Sequence, residues 1–253
     1  MDFGLQGTVV LVTGAASGLG TTIAELYAAE GARVGVNYRT KPEQAAAVVE
    51  GIVAAGGEAF AVAGDLTQDE DVVAMYDAME AHFGGPVEVL VNNAAYCPTA
   101  PTAELESDVY MHTVNVNMGG TFRCCKELIR RLDAAGKAGR IVNISSQAAF
   151  RGSRSGKSAY DSSKMGIVGL TISLARELSA KGYNVNCVLP GLMYTEMIAD
   201  AVAKDPESFN SRVPLNRLGQ TKEIADVAVF LGSKCASYMT GSTVAVDGGL
   251  SMH

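Results

Sequence analysis

The sequence predicts an α/β fold: a single-domain, Rossmann-type, doubly wound sheet of seven parallel strands with helices on both faces. Short runs of apolar and β-branched residues alternate with longer amphipathic runs along all 253 residues, and this alternation is typical of parallel sheets with right-handed crossovers. A glycine-rich turn at residues 13–20 follows the first strand and opens a helix, an arrangement that brings backbone amides onto a pyrophosphate. Because the alternation is not interrupted, we expect one dinucleotide-binding domain over residues 1–253.

The strands are predicted from short apolar runs that end in turn residues or polar residues. They are expected at residues 9–12, 32–37, 59–63, 87–91, 140–144, 184–189 and 243–246. The fourth run is continuous and apolar, as a parallel strand covered on both faces should be. The sixth run ends at Pro190-Gly191 and the seventh at Asp247-Gly248-Gly249, so both have a defined end.

The helices are predicted from the amphipathic runs between these strands. They are expected at residues 21–30, 43–55, 68–83, 107–132, 165–178 and 221–231, and Tyr160 lies at the start of the fifth. Gly31 closes the first run and Gly56-Gly57 the second, as glycine often does at helix ends. Residues 192–218 lack such a pattern, so we expect an irregular insertion that covers a substrate pocket.

The overall composition excludes several classes of protein. The net charge of −7 provides no basic surface for nucleic acid. No apolar stretch approaches the ~20 residues of a membrane helix, and the N-terminal residues lack a signal-peptide pattern. The five cysteines lack metal-ligand spacing and the three histidines are scattered, so we expect no metal site. Unpaired cysteines of this kind favour a cytoplasmic protein.

Tyr160 and Lys164 form the main catalytic signal. The two residues are four apart at the start of a predicted helix, so their side chains share one face. A phenol has an ordinary pKa of about 10, and a neighbouring cation lowers that pKa because it favours the phenolate. The pair could therefore exchange a proton with an alcohol or a ketone. A surface tyrosine and lysine on an ordinary helix are the alternative.

The residues after the second strand indicate which dinucleotide is bound. Many dinucleotide folds place an acid there for the ribose 2′-hydroxyl, but this chain has Asn37, Tyr38 and Arg39. A carboxylate repels a 2′-phosphate, whereas a guanidinium binds it through two hydrogen bonds. We expect NADP(H) to be preferred, with NAD(H) as an alternative.

Together these motifs resemble the short-chain dehydrogenase/reductase family over essentially the whole chain. The matching stretches are residues 13–20, Asn92 to Ala95, Asn117, Ser146, Tyr160 to Lys164, Pro190-Gly191 and Asp247 to Gly249. They occur in the order and at the spacing of the family. Each motif alone is a weak signal, and their conjunction carries the resemblance.

The resemblance implies catalytic roles for four residues. Tyr160 would be the general acid or base, and Lys164 would lower its pKa and bind the nicotinamide ribose. Ser146 would hold the substrate oxygen where charge develops. Asn117 would hold the water of a proton relay.

Two neighbouring residues compete for these roles. Asn115 competes with Asn117, but Asn117 stands five positions before Phe122, as in the family pattern. Ser145 competes with Ser146. Ser146 fits the usual spacing from serine to tyrosine with one inserted residue, whereas Ser145 needs two.

The same resemblance implies a set of cofactor contacts. They are Gly14, Ser17, Gly18, Leu19, Gly20, Tyr38, Arg39, Asp65, Leu66, Asn92, Ala94, Tyr160, Lys164, Pro190, Gly191 and Thr195. Asp65 and Leu66 would lie beside the adenine and Asn92 beside its ribose. Thr195 would contact the carboxamide.

Two positions depart from the family pattern. Ala95 stands where the family usually has glycine, a small change that we expect to be tolerated. Ser17 stands where NADP-using members often have a basic residue. The 2′-phosphate would therefore depend on Arg39, with Tyr38 stacking beside it.

The resemblance implies an oxidoreductase that moves a hydride between NADP(H) and a small-molecule carbonyl or secondary alcohol. Two subfamilies compete for the substrate. The residues from Asn37 to Glu43 are similar to those of bacterial glucose dehydrogenases. Arg130 and Arg176 fall where 3-oxoacyl-carrier-protein reductases keep two arginines that dock the carrier, although an arginine at 176 is common across the family.

A more local clue to the substrate lies between Ser146 and Tyr160. This connection carries Arg151, Arg154 and Lys157 and no acid, so it would attract an anion. We expect reduction of a 3-oxoacyl thioester of acyl-carrier protein or CoA, or of a similar ketone, ahead of oxidation of a sugar or polyol. A protein that binds NADP(H) without turnover is the remaining alternative.

The predicted helices that hold Asn117 and Tyr160 also indicate an assembly. They are rich in apolar residues on more than one face, for example at Ile167 and Ile172. One sheet layer covers only one side of such a helix. By its resemblance to the family, we expect the chain to form a homotetramer through these helices and the last strand.

Overall fold

Seven parallel strands form one sheet at the centre of the molecule, in the order β3-β2-β1-β4-β5-β6-β7. The structure is a computed structural model and describes residues 2–194 and 202–252. The strands are β1 (Val9–Val12), β2 (Arg33–Tyr38), β3 (Glu58–Ala63), β4 (Val89–Asn92), β5 (Arg140–Ile144), β6 (Asn184–Pro190) and β7 (Thr243–Val246). This is the predicted doubly wound architecture, because the strand order runs outward in both directions from β1 and β4.

Helices cover both faces of the sheet. They are α1 (Gly18–Ala29), α2 (Pro42–Ala54), α3 (Asp69–Phe83), α4 (Ser107–Val114), α5 (Gly120–Ala134), α6 (Ala148–Arg151), α7 (Ser158–Leu178), α8 (Pro206–Asn210) and α9 (Thr221–Leu231). Residues of α1, α2 and α9 belong to the core on one face, and residues of α3, α5 and α7 to the core on the other.

The strand β1 explains why the central strands read as continuous apolar runs. Val10 and Val12 pack into the core with α1, whereas Val9 and Leu11 pack into the core with α3 and α5. Successive side chains of a strand point to opposite faces, and both faces are buried here. No position of β1 can therefore be polar without losing apolar burial.

Some predicted boundaries are wrong. The first helix begins at Gly18, three residues before the predicted start, because two glycines lie inside its first turn. The predicted helix over residues 107–132 is interrupted at its centre. A π-helical turn, Asn115–Gly119, separates α4 from α5, and the N–H of Gly120 donates to the carbonyl of Asn115. Such turns widen a helix locally and often mark functional sites.

The predicted insertion is tied together at its base. Met193 and Gly219 form a parallel bridge, and the N–H of Gly219 donates to Leu192 O at 3.0 Å. Val213 is buried, and the N–H of Leu215 donates to Gly248 O at 3.1 Å. The end of the insertion thus packs on the turn after β7.

Across residues 2–194 and 202–252, no helix is both long enough and apolar enough to cross a membrane.

Candidate active site

The candidate site lies where the strand order reverses. β1 pairs with β2 on one side and with β4 on the other, so the chain leaves these neighbouring strands in opposite directions. In open α/β sheets this reversal creates a crevice at the carboxyl ends of the strands. The residues that follow β1, β4, β5 and β6 all meet at this edge.

The glycine-rich turn after β1 is suited to an anion. Ser17 makes no side-chain capping bond, and the first turn of α1 contains no acid. The first N–H groups of α1 therefore lack partners within the helix and face an exposed turn. Gly18 has φ +61, and a Cβ there would meet nothing within 4 Å, so the backbone borders open space. This geometry fits a pyrophosphate.

Gly20 has a different role in the same turn. A Cβ at this position would lie 2.4 Å from Gly14 O and 2.6 Å from Asn93 Nδ2, so only glycine lets α1 begin this close to β1. Leu19 beside it is 9 % exposed and packs into the core. The predicted contacts at residues 14–20 therefore lie together in one turn.

Two asparagines that the sequence reasoning missed hold this turn in place. Asn93 Nδ2 donates to Thr13 O at 3.0 Å and to Gly14 O at 3.1 Å. Asn37 Oδ1 accepts from the N–H of Gly14 at 3.2 Å. Asn37 is the penultimate residue of β2 and Asn93 directly follows β4, and a polar residue at the end of a buried strand was the available signal. The side chain of Asn37 is therefore turned inward. Of residues 37–39, only Tyr38 and Arg39 keep side chains that are available to a cofactor.

The adenine side of the candidate site carries charges of both signs. Arg39 Nη1 lies 3.8 Å from Asp65 Oδ2, and the arginine side chain is 51 % exposed. Burial opposes ionisation of Asp65, but hydrogen bonds from Thr67 and the charge of Arg39 lower its pKa below the ordinary value. Leu66 next to it is buried. The predicted adenine contacts and the predicted phosphate contact are thus neighbours.

Asn92 does not direct its side chain towards a ribose. Its Nδ2 donates to Asn143 Oδ1 at 2.9 Å and to Cys125 Sγ at 3.3 Å, inside the sheet. Its Oδ1 is buried without a partner among the described residues. Only the backbone of Asn92 can therefore face a cofactor. Ala94 packs against Gly14, since a Cβ on Gly14 would lie 2.8 Å from Ala94 Cα.

Ser146, rather than Ser145, is close to Tyr160. Ser145 is buried, and its Oγ donates to the carbonyl of Lys164 at 2.7 Å. Ser146 is half-buried, and its Oγ accepts from the N–H of Ala148 at 3.1 Å. Burial raises the pKa of Tyr160 to about 12, the nearby Cys97 adds to the rise, and a hydrogen bond with Ser146 opposes it.

Lys164 is a fully buried cation beneath this tyrosine. It is 2 % exposed, and its Nζ donates to Ile144 O at 2.7 Å. The Nζ lies 5.6 Å from the centroid of the Tyr160 ring. Burial lowers the pKa of Lys164 to about 8. The expectation that Lys164 holds the tyrosine pKa below its ordinary value is not met in this geometry, because burial of the phenol raises that pKa.

Asn117 is the central residue of the π-helical turn and is fully buried. Its Oδ1 accepts from the N–H of Tyr96 at 2.7 Å, and its Nδ2 donates to Tyr96 O and to Ser163 Oγ, each at 2.9 Å. Its side chain therefore joins the loop after β4 to α7. Both amide protons of that side chain are used, and the backbone carbonyl of Asn117 accepts from Thr121 Oγ1 at 2.7 Å, which leaves one of its lone pairs for a relay water. Asn115 instead accepts from Arg123.

The end of β6 supplies the last described candidates. The N–H of Gln147 donates to Pro190 O at 3.0 Å, and the N–H of Gly191 donates to Val246 O at 3.0 Å. A Cβ on Gly191 would lie 2.5 Å from Asp247 Cα, so the two turns are in close contact. Thr195 lies outside the described residues.

The basic connection between Ser146 and Tyr160 is held at two points. The N–H and Oγ of Ser153 donate to Asp161 at 2.7 and 2.9 Å. The N–H of Ala100 donates to Gly156 O at 2.9 Å. Arg151 and Arg154 are exposed on this connection. Lys157, at the start of α7, is close enough to influence Cys97 beside Tyr160.

No group of three or more His, Cys, Asp or Glu side chains suited to a metal ion occurs within residues 2–194 and 202–252. The arrangement contains a half-buried phenol with a hydroxyl and a buried cation beside it. An anion-binding helix terminus lies at the same edge of the sheet. These are the groups needed to bind a dinucleotide and to exchange a proton with a substrate oxygen.

Comparisons with known proteins agree with this chemistry. A family model described as "Enoyl-(Acyl carrier protein) reductase" matches residues 14–251. The uncharacterized oxidoreductase YgfF of Escherichia coli is 40 % identical over 245 residues, which is 95 % of this chain and 99 % of YgfF. The 3-oxoacyl-[acyl-carrier-protein] reductase FabG of Staphylococcus aureus is 37 % identical over 243 residues, or 96 % of this chain and 97 % of FabG.

A crystal structure shows the same similarity in three dimensions. It is described as a candidate gluconate dehydrogenase from Agrobacterium tumefaciens, with a TM-score of 0.91 and 32 % identity over 99 % of this chain and 98 % of that one. The fold, the motifs and the matched relatives agree. The chain belongs to the short-chain dehydrogenase/reductase family, whose members are NAD(P)(H)-using oxidoreductases that act on CH–OH groups.

Proposed function

We propose that the protein is an NADP(H)-dependent reductase of ketones, with a 3-oxoacyl thioester or a similar anionic ketone as its substrate. The proposed reduction of a ketone rests on one observation, the cluster of Tyr160, Ser146 and Lys164. The half-buried phenol lies beside a serine hydroxyl and above a buried ammonium. A degenerate, non-catalytic relative has no need to keep a buried lysine charge, which is costly to the fold.

The residues of this chain carry the proton steps. A bound nicotinamide cofactor would supply or accept the hydride. In the direction of reduction, Tyr160 Oη donates a proton to the substrate oxygen, and Ser146 Oγ donates a hydrogen bond to the same oxygen. The Lys164 ammonium then stabilises the phenolate that remains. The backbone carbonyl of Asn117 is the group that holds a relay water.

Cofactor contacts follow from the same edge of the sheet. The N–H groups at Ser17 to Gly20 would bind the pyrophosphate. Asp65, Leu66 and the backbone of Asn92 would lie along the adenosine. Thr195 remains a predicted contact.

The preference for NADP(H) rests on the residues after β2. No acid is present among Asn37, Tyr38 and Arg39, and Asn37 is turned inward. Arg39 is half exposed, and its distance of 3.8 Å from Asp65 is long for an ion pair. A 2′-phosphate could therefore engage the guanidinium through shorter, charge-assisted bonds.

The substrate class rests on charge and on similarity. Arg151 and Arg154 are exposed on a connection that is tied down near Tyr160, so they present positive charge where an acyl-carrier or CoA phosphate would approach. FabG proteins from two genera are 36–37 % identical to this chain. Arg130 contributes little to this argument, because Glu127 already holds it through bonds of 2.9 and 2.6 Å.

A side-by-side assay tests this proposal. The wild-type protein would be given acetoacetyl-CoA with NADPH, and D-glucose or D-gluconate with NADP⁺, at several salt concentrations. We expect thioester reduction that weakens as salt rises. The variant Arg151→Ser/Arg154→Ser should raise the KM for acetoacetyl-CoA and reduce the salt dependence. Thioester activity that is indifferent to salt in both proteins would contradict the role of these arginines.

Sugar, sugar-acid or polyol oxidation is the second candidate function. It is favoured by the similarity to the candidate gluconate dehydrogenase structure. Activity on the sugars alone would establish it. Stopped-flow oxidation of NADPH with a panel of ketones addresses the third possibility, because a binding protein would take up NADPH without oxidising it.

Further parts of the proposal concern organisation. We infer one catalytic domain over the whole chain, a substrate-covering role for residues 192–218 and a homotetramer built on α4, α5 and α7. Exposed apolar side chains on these helices and the π turn support the last point: Met111, Met118, Phe122, Met165 and Ile172. Ile167 and Val168, by contrast, are buried. The five free cysteines favour a cytoplasmic location.

A further inference from the structure

Arg123 joins two parts of the candidate site that belong to different segments of the chain. It lies in the first turn of α5, and its side chain is 22 % exposed. Its Nη2 donates to Asn115 Oδ1 at 2.9 Å, and its Nη1 donates to Leu66 O at 3.3 Å. Its Nε lies 3.2 Å from Asp69 Oδ1 at the start of α3. One guanidinium therefore holds three acceptors.

Two of these acceptors, Leu66 O and Asn115 Oδ1, belong to segments that the proposed function requires. Leu66 lies in the loop after β3, beside the predicted adenine position. Asn115 opens the π-helical turn whose central residue is Asn117. A planar fork of donors can hold two such acceptors at a fixed separation, which a lysine cannot do.

The backbone around the π turn leaves room for this side chain. A Cβ on Gly119 would lie 2.9 Å from Arg123 Nη1 and 2.8 Å from Asn115 Oδ1. A Cβ on Gly120 would lie 2.9 Å from Leu66 Cβ. The two glycines thus let the guanidinium cross the turn and let α5 approach Leu66 closely.

Asn117 links the π-helical turn to α7, the helix that carries Tyr160 and Lys164. Its side chain binds both backbone groups of Tyr96 and the hydroxyl of Ser163, and Ser163 precedes Lys164. A displaced π turn would therefore break or stretch bonds next to the buried cation.

We propose that Arg123 is a positioning residue that fixes the adenine-side loop, at Leu66, relative to the π-helical turn, at Asn115. Dinucleotide affinity and turnover then depend on the same guanidinium, although it touches neither the substrate nor the reacting atoms. The inference rests on the proposed function only for its turnover measurement. Its binding and hydrogen-exchange measurements stand without a known substrate.

Arg123→Met is the principal variant, and Arg131→Met is its matched control. Arg131 lies eight residues later on α5, is 10 % exposed and pairs with Asp77 and Glu80. It lines a surface depression with Gly84 and Pro86, before β4 and far from the glycine-rich turn. Both variants lose a partly buried ion-pair network on one helix, so both should lower the melting temperature.

Only Arg123→Met should change the site. We expect its Kd for NADPH, measured by fluorescence titration, to rise about fivefold or more. Its kcat at saturating NADPH should fall about tenfold, because a group near the chemistry is misplaced. Exchange of the Tyr96 amide, which donates to Asn117, should also accelerate when followed by mass spectrometry. Arg123→Lys should recover part of the affinity and less of the turnover.

The outcomes separate positioning from simple stabilisation. A change in melting temperature alone, or the same changes of Kd, kcat and exchange in Arg131→Met, would overturn the inference. If Arg123→Met fails to fold, Asn115→Ala is the alternative variant, because it removes only the hydrogen bond between Arg123 and the π-helical turn. It should accelerate exchange at Tyr96 with NADPH affinity unchanged, and unchanged exchange would overturn the inference. Absence of turnover in every protein would count against the proposed function, while affinity and exchange would still decide this inference.

Discussion

Lys164 donates a 2.7 Å hydrogen bond from its buried Nζ to the carbonyl oxygen of Ile144, the last residue of β5. The strand end therefore offers a carbonyl dipole to the ammonium, and the centroid of the Tyr160 ring lies 5.6 Å from the same Nζ. A charge held in this way remains partly desolvated, which makes it costly to the fold and available for proton chemistry.

The first prediction concerns the pH dependence of stability. Burial lowers the pKa of Lys164 from 10.5 to about 8, so between these values the unfolded state binds more protons than the folded state. Stability contributed by this site therefore rises with pH across that window and is lowest below it. The change amounts to about 3 kcal/mol, since one pKa unit is ~1.4 kcal/mol.

Urea unfolding of wild type and Lys164→Met, at one protein concentration and at several pH values from 7.5 to 10.5, measures this effect. The difference between the two proteins should shift in favour of wild type as the pH rises. Buried groups that do not depend on the charge of Lys164 cancel in the difference, whereas Cys97 and Cys187, whose pKa values that charge lowers, do not. Lys126→Met, at an exposed position, should show no such trend, and a flat difference for Lys164→Met would contradict the prediction.

The second prediction concerns Tyr160. Tyr160→Phe keeps the aromatic ring and removes the hydroxyl, so kcat should fall by about 10²–10⁴-fold while NADPH affinity changes little. Steady-state kinetics and fluorescence titration measure the two quantities. Tyr238→Phe, at a fully exposed tyrosine, should leave both unchanged. Turnover of Tyr160→Phe within about threefold of wild type would remove the tyrosine from the proposed chemistry.

The third prediction concerns cofactor preference. Wild type should bind NADPH more tightly than NADH, and Arg39→Asp should abolish or reverse the preference. A charge-assisted bond to phosphate is worth about 1.5–3 kcal/mol, which is roughly ten- to a hundredfold in Kd. Lys137→Asp makes the same change of charge beside Glu88, at the opposite edge of the sheet, and should not alter the preference. Equal wild-type affinities for NADH and NADPH would refute the argument from residues 37–39.

The fourth prediction concerns assembly. Light scattering of wild type should report four times the chain mass of 26.3 kDa. Phe122→Glu/Ile172→Glu places charges at two side chains that are 50 % and 43 % exposed. It should yield smaller species, because assembly of the tetramer would bury these unpaired charges. Tyr238→Glu is the control at an already exposed position. A wild-type mass equal to one chain would exclude the tetramer.

Much of the fold could be predicted because its signals are local. The strands are short apolar runs, and their number and parallel direction follow from their alternation with helices. The π turn could not be predicted in the same way. Asn115 to Gly119 continue an acceptable helical pattern, and the additional residue depends on contacts with Leu66 and Tyr96 from distant segments.

In the candidate site, too, local motifs could be predicted from the sequence, and features that depend on distant segments could not. The motifs singled out the glycine-rich turn, Ser146, Tyr160 and Lys164, and the structure brings these residues to one edge of the sheet. They missed the inward turn of Asn37 and the clamp by Asn93, because the direction of a side chain depends on the strand beside it. They also did not anticipate the raised pKa of Tyr160, which follows from burial by the whole fold.

The bridge between Met193 and Gly219 has a consequence for engineering. Because the two ends of the insertion meet at this bridge and Val213 and Leu215 pack on the turn after β7, the part before Val213 is the one to exchange without moving β6 or α9. Lengthening a closed loop costs little, about 0.6 kcal/mol for each doubling. Segments of different length and charge could therefore be transplanted from relatives onto this scaffold, so that specificity could be varied as a cassette while the proton-transfer residues stay in place.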